Sequence, residues 1–449
     1  MRGFGVATDR RIALLLGLVA LVAFGPIVAD DTAQPASRYS LTAAFADHHS
    51  VDLGRYRPVL GVDRAVYRGH LRSDKPPGQQ LLAVVPYLVG RAFGADPASH
   101  VHIRGDLGLW WSTLWSATIP FALLLGLIFL ACARYARRRA AFAVTVLFGV
   151  STMLLPFGVN LFGHTLAALV GFAGWLALER DDVSPRRAAL AGLLGGMTVL
   201  TEYDAGIVLV VLAAYIVWRH RARIGWFILG AAAPLGVLAW YQNAAFGAPW
   251  RTPSAYFAGT INGTTRGGYS IPSPRALSSV VFGGRGLLFG APIALVALIA
   301  AIWLVKDGTG VVRHHAVVAL AVTIPYVLLC AGWSGFATLE DPGPRYLIPA
   351  LPFLAVPLAV LWDKLWRPAV VAAMWGVLVS VPAAFTYILV ASQEHLVPDL
   401  LRRVADRTFA PTLWSMAFGS FGVVLYAISV ALIVLVLVRQ LRAEVSPTT

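Results

Sequence analysis

The sequence has few charged residues. Only 13% of its 449 residues are Asp, Glu, Lys or Arg, whereas a soluble globular domain has about a quarter. Repeated apolar runs of about 20 residues, the length that crosses the hydrocarbon core of a bilayer, take their place. This composition argues against a soluble enzyme. It predicts an all-α polytopic membrane protein, because a chain in lipid must satisfy its backbone internally.

Cysteine and lysine are also scarce. Both cysteines, Cys132 and Cys330, fall in apolar runs, which argues against a disulfide framework and a thiolate metal site. The net charge of +14 comes almost wholly from arginine, since there are only three lysines; this bias is typical of a GC-rich bacterial genome. Basic residues of membrane proteins concentrate in cytoplasmic loops, and no nucleic-acid motif is present. We therefore predict no nucleic-acid partner.

Twelve apolar stretches predict about twelve transmembrane helices. The first, 12–29, follows two arginines and has features of a signal peptide, but the many later spans favour an uncleaved helix. We see no internal repeat or separate soluble domain, so we treat 1–449 as a single domain. The other predicted spans are 106–131, 140–157, 161–178, 188–200, 205–218, 224–242, 286–305, 316–333, 346–362, 369–390 and 414–438.

The basic residues between the spans predict the orientation. If consecutive spans alternate in direction, six basic loops fall on the side of the N-terminus, which the positive-inside rule makes cytoplasmic. Both termini are then cytoplasmic, and two long loops, 30–105 and 243–285, face outward from a bacterial cytoplasmic membrane. The basic residues of these six loops are Arg134, Arg137, Arg138, Arg139, Arg180, Arg186, Arg187, Arg219, Arg221, Arg223, Lys306, Arg313, Lys364, Arg367, Arg439 and Arg442.

The first outward loop should contain short helices at the membrane surface. Residues 38–48 carry apolar side chains on one helical face and predict an amphipathic surface helix. Residues 79–93 form a second apolar piece that Pro86 interrupts and that is short for a span. We interpret it as a surface or re-entrant helix.

Between these two helices lies a polar stretch at 63–78. Its ionisable side chains include Asp63, His70, Arg72, Asp74 and Lys75. The two prolines after Lys75 hold the chain extended and present the preceding side chains. A lysine at a membrane surface binds phosphate as a point charge, although a turn with solvated charges explains the pattern equally well. Asp63 and His70 could orient this loop rather than act in chemistry.

Further carboxylates lie at outward helix junctions. Asp30 and Asp31 directly follow the first span, where they are either a polar flank or a general base. Glu202 and Asp204 lie between two short spans with almost no loop. They would pair with arginines or bind sugar hydroxyls. His164 occupies a neighbouring outward turn.

Arg345 follows a Gly-Pro pair at the mouth of a span and precedes Tyr346. Its guanidinium could hold a phosphate through two charge-assisted hydrogen bonds, or it could simply extend to the membrane interface.

No His, Asp or Glu cluster has metal-ligand spacing on a helix. We therefore predict no cofactor and no metal site, although a requirement for a divalent metal stays open.

The order of these motifs resembles that of the GT-C superfamily of membrane glycosyltransferases. The motifs are a long first external loop that opens on acidic residues, Arg-Tyr-Ser-Leu-Thr-Ala at 38–43, Ser-Asp-Lys-Pro-Pro-Gly at 73–78 and Gly-Pro-Arg-Tyr-Leu-Ile-Pro-Ala-Leu-Pro at 343–352. Within the superfamily, the sequence looks most similar to the family of the protein O-mannosyltransferases and the lipid A aminoarabinose transferase.

The resemblance implies a reaction and a catalytic acid. Such enzymes pass a sugar from a polyprenyl-phosphate carrier to a glycan, lipid or protein acceptor outside the cytoplasmic membrane. An acidic residue at the start of the first external loop is essential in them, and Asp30 and Asp31 match that position. Here residues 32–37 separate this pair from the surface helix, so the base stays open between Asp31 and Asp63, with Asp74 third.

We therefore predict an inverting glycosyltransferase. Asp31 or Asp63 would take the proton of the acceptor hydroxyl, and the resemblance implies that Lys75 lies near the lipid phosphate. Preorganised cations would stabilise the charge that grows on that leaving group. The predicted phosphate-binding residues are Lys75, Arg345 and Arg72, and the predicted substrate-binding residues are Asp74, His70, Glu202, Asp204, His164 and Tyr346.

Two other functions are considered. A secondary transporter fits twelve spans, but transporters place ionisable groups near the midplane and usually contain repeats, whereas the charges here cluster at outward ends. A polymerase or ligase of lipid-linked glycans would use the same carrier in a different reaction.

Overall fold

The structure is a computed structural model, and it describes most of the chain. The described residues are 2–29, 32–92, 94–97, 106–258, 260–261, 264–265, 268–333, 340–390 and 395–445. Asp30 and Asp31, two of the three predicted catalytic residues, lie outside this set.

The fold is a bundle of helices joined mostly by short turns. The helices are α1 (Arg2–Phe24), α2 (Ala33–His48), α3 (Gly78–Arg91), α4 (Leu107–Thr113), α5 (Ile119–Ala133), α6 (Arg138–Ser151), α7 (Leu154–Gly158), α8 (His164–Leu178), α9 (Pro185–Thr201), α10 (Gly206–His220), α11 (Ile224–Phe246), α12 (Pro274–Phe282), α13 (Leu287–Gly290), α14 (Pro292–Asp307), α15 (Gly310–Gly332), α16 (Leu351–Val360), α17 (Trp362–Phe385), α18 (Leu396–Ala405) and α19 (Leu413–Val445).

Each predicted span overlaps one of these helices, but the predicted number of spans is not confirmed. Among the described residues, five helical segments are long and apolar enough to cross a membrane, or six if a pair bent by 107° counts as one span. Several remaining helices are short: α6 has 14 residues and α9 has 17. At about 1.5 Å per residue, such helices extend about 21–26 Å, less than the roughly 30 Å of hydrocarbon. The apolar helices nevertheless make this an integral membrane protein.

The first long loop is packed against the bundle. Residues 34–44 of α2 are all buried, so this helix is covered by protein, whereas the sequence predicted a membrane-surface helix. Two of its polar residues have internal partners: Ser37 Oγ lies 2.9 Å from Ser73 Oγ, and the Thr42 hydroxyl donates to the Arg38 carbonyl at 3.1 Å. The helix therefore belongs to the protein interior.

A β-hairpin follows α2. Strands β1 (Arg64–Tyr67) and β2 (His70–Ser73) pair antiparallel, with Arg64 opposite Ser73. Both turn residues, Arg68 and Gly69, have positive φ, 50° and 80°. Two-residue turns of this kind match the twist of the strands they join. The hairpin delivers the chain directly to Asp74 and Lys75. A second short hairpin pairs β3 (Thr260–Ile261) with β4 (Thr264–Thr265).

Small residues bring α9 close to its neighbours. A Cβ atom built on Gly192 of α9 would lie 1.9 Å from the Phe227 carbonyl oxygen of α11. Close approach through small side chains is a common packing mode between membrane helices. Because α9 ends at Thr201, this contact also sets the position of the turn that carries Glu202 and Asp204.

We expect Gly192→Leu to destabilise the protein. The new side chain must push α11 away, and overpacking of this kind costs about 1–3 kcal/mol. The melting temperature in detergent, followed by tryptophan fluorescence, measures the effect. Gly236→Leu, on α11 itself, is the matched control, because a Cβ there meets nothing within 4 Å. Equal melting temperatures for the two variants would contradict the packing argument.

Candidate functional site

A cavity lies where α2, the hairpin, α8, the α9–α10 turn and the segment before α16 meet. Its volume is about 240 Å³, enough for a small polar ligand. Its lining contains charged, polar and aromatic side chains contributed by segments far apart in sequence. The lining residues are Gln34, Asp74, Lys75, Pro76, His164, Glu202, Tyr203, Asp204, Ser254, Gly268, Tyr269, Trp333 and Tyr346.

Lys75 is the cation at the wall of this cavity. It is only 4% exposed, and its Nζ donates to Asp63 Oδ1 at 2.9 Å and to Asp74 Oδ2 at 2.8 Å. The sequence predicted all three residues as site residues, and the structure brings them together. An ammonium has three donors, so its two contacts with described residues leave one donor that could bind a ligand in the cavity.

Gly78 holds the Lys75 segment against the bundle. A Cβ atom on Gly78 would lie 2.6 Å from the Leu200 carbonyl oxygen at the end of α9. Only glycine allows this approach of the two backbones. It brings the Lys75 segment next to the α9–α10 turn, which supplies Glu202, Tyr203 and Asp204.

Arg38 and Glu202 form a buried ion pair through Arg38 Nη2 and Glu202 Oε1. The Arg38 side chain is 0% exposed and that of Glu202 is 7% exposed. Gly163 permits this arrangement, since a Cβ there would meet Glu202 Oε1 at 2.5 Å. The pairing fulfils one of the two predictions for Glu202, that it pairs with an arginine. Sequence reasoning placed Arg38 in a surface helix and missed it as a site residue; its position in the Arg-Tyr motif was the available signal.

Arg345 is held by Asp341. Its Nη1 donates to both carboxylate oxygens of Asp341 at 2.8 Å, and its Nη2 donates to the Tyr346 hydroxyl at 3.4 Å. Burial raises the pKa of Asp341 above its ordinary value, and the attraction of Arg345 offsets only part of this rise. The pair lies at the edge of the cavity, where Tyr346 forms part of the lining. Asp341 was not among the predicted site residues.

Aromatic side chains form one wall. The rings of Trp333 and Tyr346 meet edge-to-face with centroids 5.4 Å apart. The ring centroids of His164 and Tyr346 are 5.7 Å apart. Tyr269, from the second long loop, pairs with Trp333 through an isolated β-bridge. Aromatic faces beside carboxylates and hydrogen-bond donors suit a polyhydroxylated ligand, because one surface stacks and the other binds hydroxyls.

His70, predicted to bind substrate, and Arg72, predicted to bind the donor phosphate, are not among the residues that line this cavity. His70 Nδ1 is 2.5 Å from Asp52 Oδ2, and Arg72 Nη1 is 3.4 Å from the same oxygen. Burial raises the pKa of Asp52, but the Gly54 N–H, His70 and Arg72 together lower it below its ordinary value. Arg72 Nε also donates to the Ala245 carbonyl at 3.1 Å. Both residues therefore fasten the hairpin to its surroundings.

The similarity of this protein to known proteins is found in its structure and not in its sequence. No model of a protein family matches the sequence, and no curated protein does. Among solved structures, apo ArnT from Cupriavidus metallidurans is similar over 96% of this chain and 76% of its own, with a TM-score of 0.52 and 17% identity. ArnT from the same organism bound to undecaprenyl phosphate has a TM-score of 0.48 and 14% identity. The similarity covers 96% of this chain and 77% of that chain.

A third solved structure is AglB, the oligosaccharyltransferase of Archaeoglobus fulgidus, in complex with an inhibitory peptide and a dolichol-phosphate. It is similar over 92% of this chain and 58% of its own, with a TM-score of 0.45 and 12% identity. ArnT has the GT-C fold. The likeness to apo ArnT, which extends over nearly the whole chain, confirms the GT-C fold that the sequence resemblance predicted.

We expect Glu202→Leu to destabilise the protein strongly. It leaves Arg38 buried without a counter-charge, which costs about 3–5 kcal/mol. The double variant Arg38→Met/Glu202→Leu removes both charges and should recover most of the lost stability. Melting temperatures of wild type and both variants in detergent test this expectation. A double variant as unstable as Glu202→Leu would contradict the explanation that the single variant loses stability through an unpaired buried charge.

Proposed function

We propose that this protein transfers a sugar from a polyprenyl-phosphate carrier to an acceptor at the outer face of the cytoplasmic membrane. The observation that carries the proposal is the cavity in which Lys75, its two aspartates and the Glu202–Asp204 turn meet an aromatic wall. The resemblance of the sequence motifs to the GT-C superfamily and the shared fold support it. The acceptor is a glycan, a lipid or a protein.

The proposed reaction is a single displacement with inversion. The acceptor hydroxyl oxygen attacks the anomeric carbon, and the bond between that carbon and the phosphate oxygen breaks. The electron pair of this bond stays on the lipid phosphate, and the acceptor proton passes to a carboxylate. General-base assistance of this kind contributes about 10²–10⁴-fold to a rate.

Lys75 and Arg345 stabilise the leaving phosphate in this proposal. Lys75 is already held by Asp63 and Asp74 and Arg345 by Asp341, so neither cation needs to be ordered when the donor binds. Charge held ready in a site sheltered from water is often the largest contribution to catalysis. Glu202, Asp204, His164 and Tyr346 would contact the sugar.

Asp31 remains the first candidate for the base and Asp63 the second. Gln34, three residues after Asp31 in the sequence, lines the cavity, which supports a base supplied by the start of the first external loop. Asp63 is bound to Lys75, so one of its carboxylate oxygens is already engaged in this structure.

We expect Asp31→Asn to lower kcat by about 10²–10⁴-fold, because an amide cannot accept the proton. The assay uses membranes that contain the protein and tritiated mannosyl or arabinofuranosyl polyprenyl phosphate. Asp63→Asn is assayed in parallel, and Asp307→Asn at the exposed end of α14 is the control. Wild-type turnover by both Asp31→Asn and Asp63→Asn would contradict the proposal that either residue is the base.

We expect Lys75→Gln to lower kcat, measured per amount of folded protein, by about 10²–10³-fold. Lys306→Gln, which changes an exposed lysine of α14, is the matched control.

The mass of the product distinguishes addition of one sugar from transfer of a whole glycan, which would indicate a polymerase or ligase. Transport by sealed vesicles without any lipid-linked sugar, together with no transferase activity, would favour the transporter.

A further inference from the structure

Three potential metal ligands meet at the cavity. His164 begins α8, whereas Glu202 and Asp204 flank Tyr203 in the turn after α9. Their nearest ligand atoms all lie within 4.8 Å of one another. The sequence shows no ligand spacing here, because the histidine is separated from the carboxylates by a whole pair of helices.

The second observation is that both ring nitrogens of His164 and one carboxylate oxygen of Asp204 have no hydrogen-bond partner among the residues that the structure describes. His164 is 1% exposed, yet neither of its ring nitrogens makes a hydrogen bond to a described residue. The shortest contact of Nδ1 with Glu202 Oε1 is 3.8 Å, too long for a hydrogen bond. Asp204 Oδ2 is also buried without a partner in the described part of the chain. Such buried groups nearly always have a partner in native proteins, and leaving one unpaired costs about 1–3 kcal/mol.

The surrounding charges also favour an added cation. Arg38 pairs with Glu202, and Lys75 pairs with Asp74 and Asp63. Asp204, in contrast, makes no ion pair with any residue that the structure describes. Arg345, the other nearby arginine, is itself paired with Asp341. A cation between Asp204 and Glu202 would therefore meet negative charge that Arg38 only partly balances.

We propose that His164, Glu202 and Asp204 form a binding site for a divalent transition-metal ion. One imidazole nitrogen with two carboxylate oxygens suits Zn²⁺ or Mn²⁺ better than Ca²⁺ or Mg²⁺, which prefer oxygen ligands alone. Ligand atoms around a tetrahedral zinc ion are about 3.4 Å apart, so small side-chain movements would close this set. Three protein ligands leave a coordination position for a hydroxyl or phosphate oxygen.

The test measures metal binding directly. The protein is purified in detergent without a histidine tag, stripped of metal with EDTA, and titrated with Mn²⁺ while electron paramagnetic resonance reports the free ion. Zn²⁺ is then added as a competitor. We expect saturable binding of one Mn²⁺ per chain and displacement of the Mn²⁺ by Zn²⁺.

The variants are His164→Gln and Asp204→Asn, which keep side-chain size and leave the Arg38–Glu202 pair intact. Each should weaken Mn²⁺ binding by about 100-fold, since even partners outside the ligand set change metal affinity about 10–100-fold. His70→Gln is the matched control, because His70 lies in the same outer region but its side chain is 59% exposed and pairs with Asp52. It should bind Mn²⁺ like the wild type.

A second measurement guards against misfolded variants. Zn²⁺ should raise the melting temperature of the wild type and of His70→Gln, but not that of Asp204→Asn, provided each elutes as a single species in size-exclusion chromatography. No Mn²⁺ or Zn²⁺ binding by the wild type at millimolar metal would overturn the proposal, as would wild-type affinity in both His164→Gln and Asp204→Asn. Neither measurement needs a sugar donor, so the result is independent of the proposed transfer reaction.

Discussion

The ion pair between Arg38 and Glu202 joins the first long loop to the helix bundle. Both side chains are almost fully buried, and a buried charge that loses its partner is strongly unfavourable. Separating the two side chains would therefore leave an unpaired charge in the interior. The pair holds α2 against the turn after α9, and the contact between the hydroxyls of Ser37 and Ser73 ties the same helix to the segment that leads to Lys75. The walls of the cavity depend on this connection.

Polar groups in the bundle concentrate at helix ends. His164 begins α8 beside the cavity, and Glu179 follows its last residue, where His315 Nε2 lies 2.9 Å from Glu179 Oε2 and Arg134 completes the cluster. The helix between them is almost entirely apolar and buried. A low-dielectric surrounding makes isolated charges costly. The polar side chains that line the cavity therefore lie at one end of α8, and they come from segments that are distant in the sequence.

Part of the site was predictable from local sequence signals. Lys75 stands before two prolines, Arg345 follows Gly-Pro, and His164 and Glu202 occupy tight turns between apolar runs; all four meet at or beside the cavity. The same reasoning did not predict the direction of the Arg72 side chain, because Arg72 lies in a strand, where successive side chains point to opposite faces. Its direction depends on the hairpin register set by the turn at Arg68 and Gly69, a turn that the composition of the loop did not reveal.

Hydrophobicity and backbone-restricting residues act locally, so the amino-acid sequence predicted membrane helices and the polar residues at their ends. It also carried the motifs of the GT-C fold. Which helix ends meet depends instead on three-dimensional packing. This packing pairs Arg38 with Glu202 and places the ligand atoms of His164 and two carboxylates within 4.8 Å of one another. These contacts join residues that are mostly far apart in the chain, and they depend on how closely backbones approach, as at Gly78 and Gly163, which no local pattern encodes.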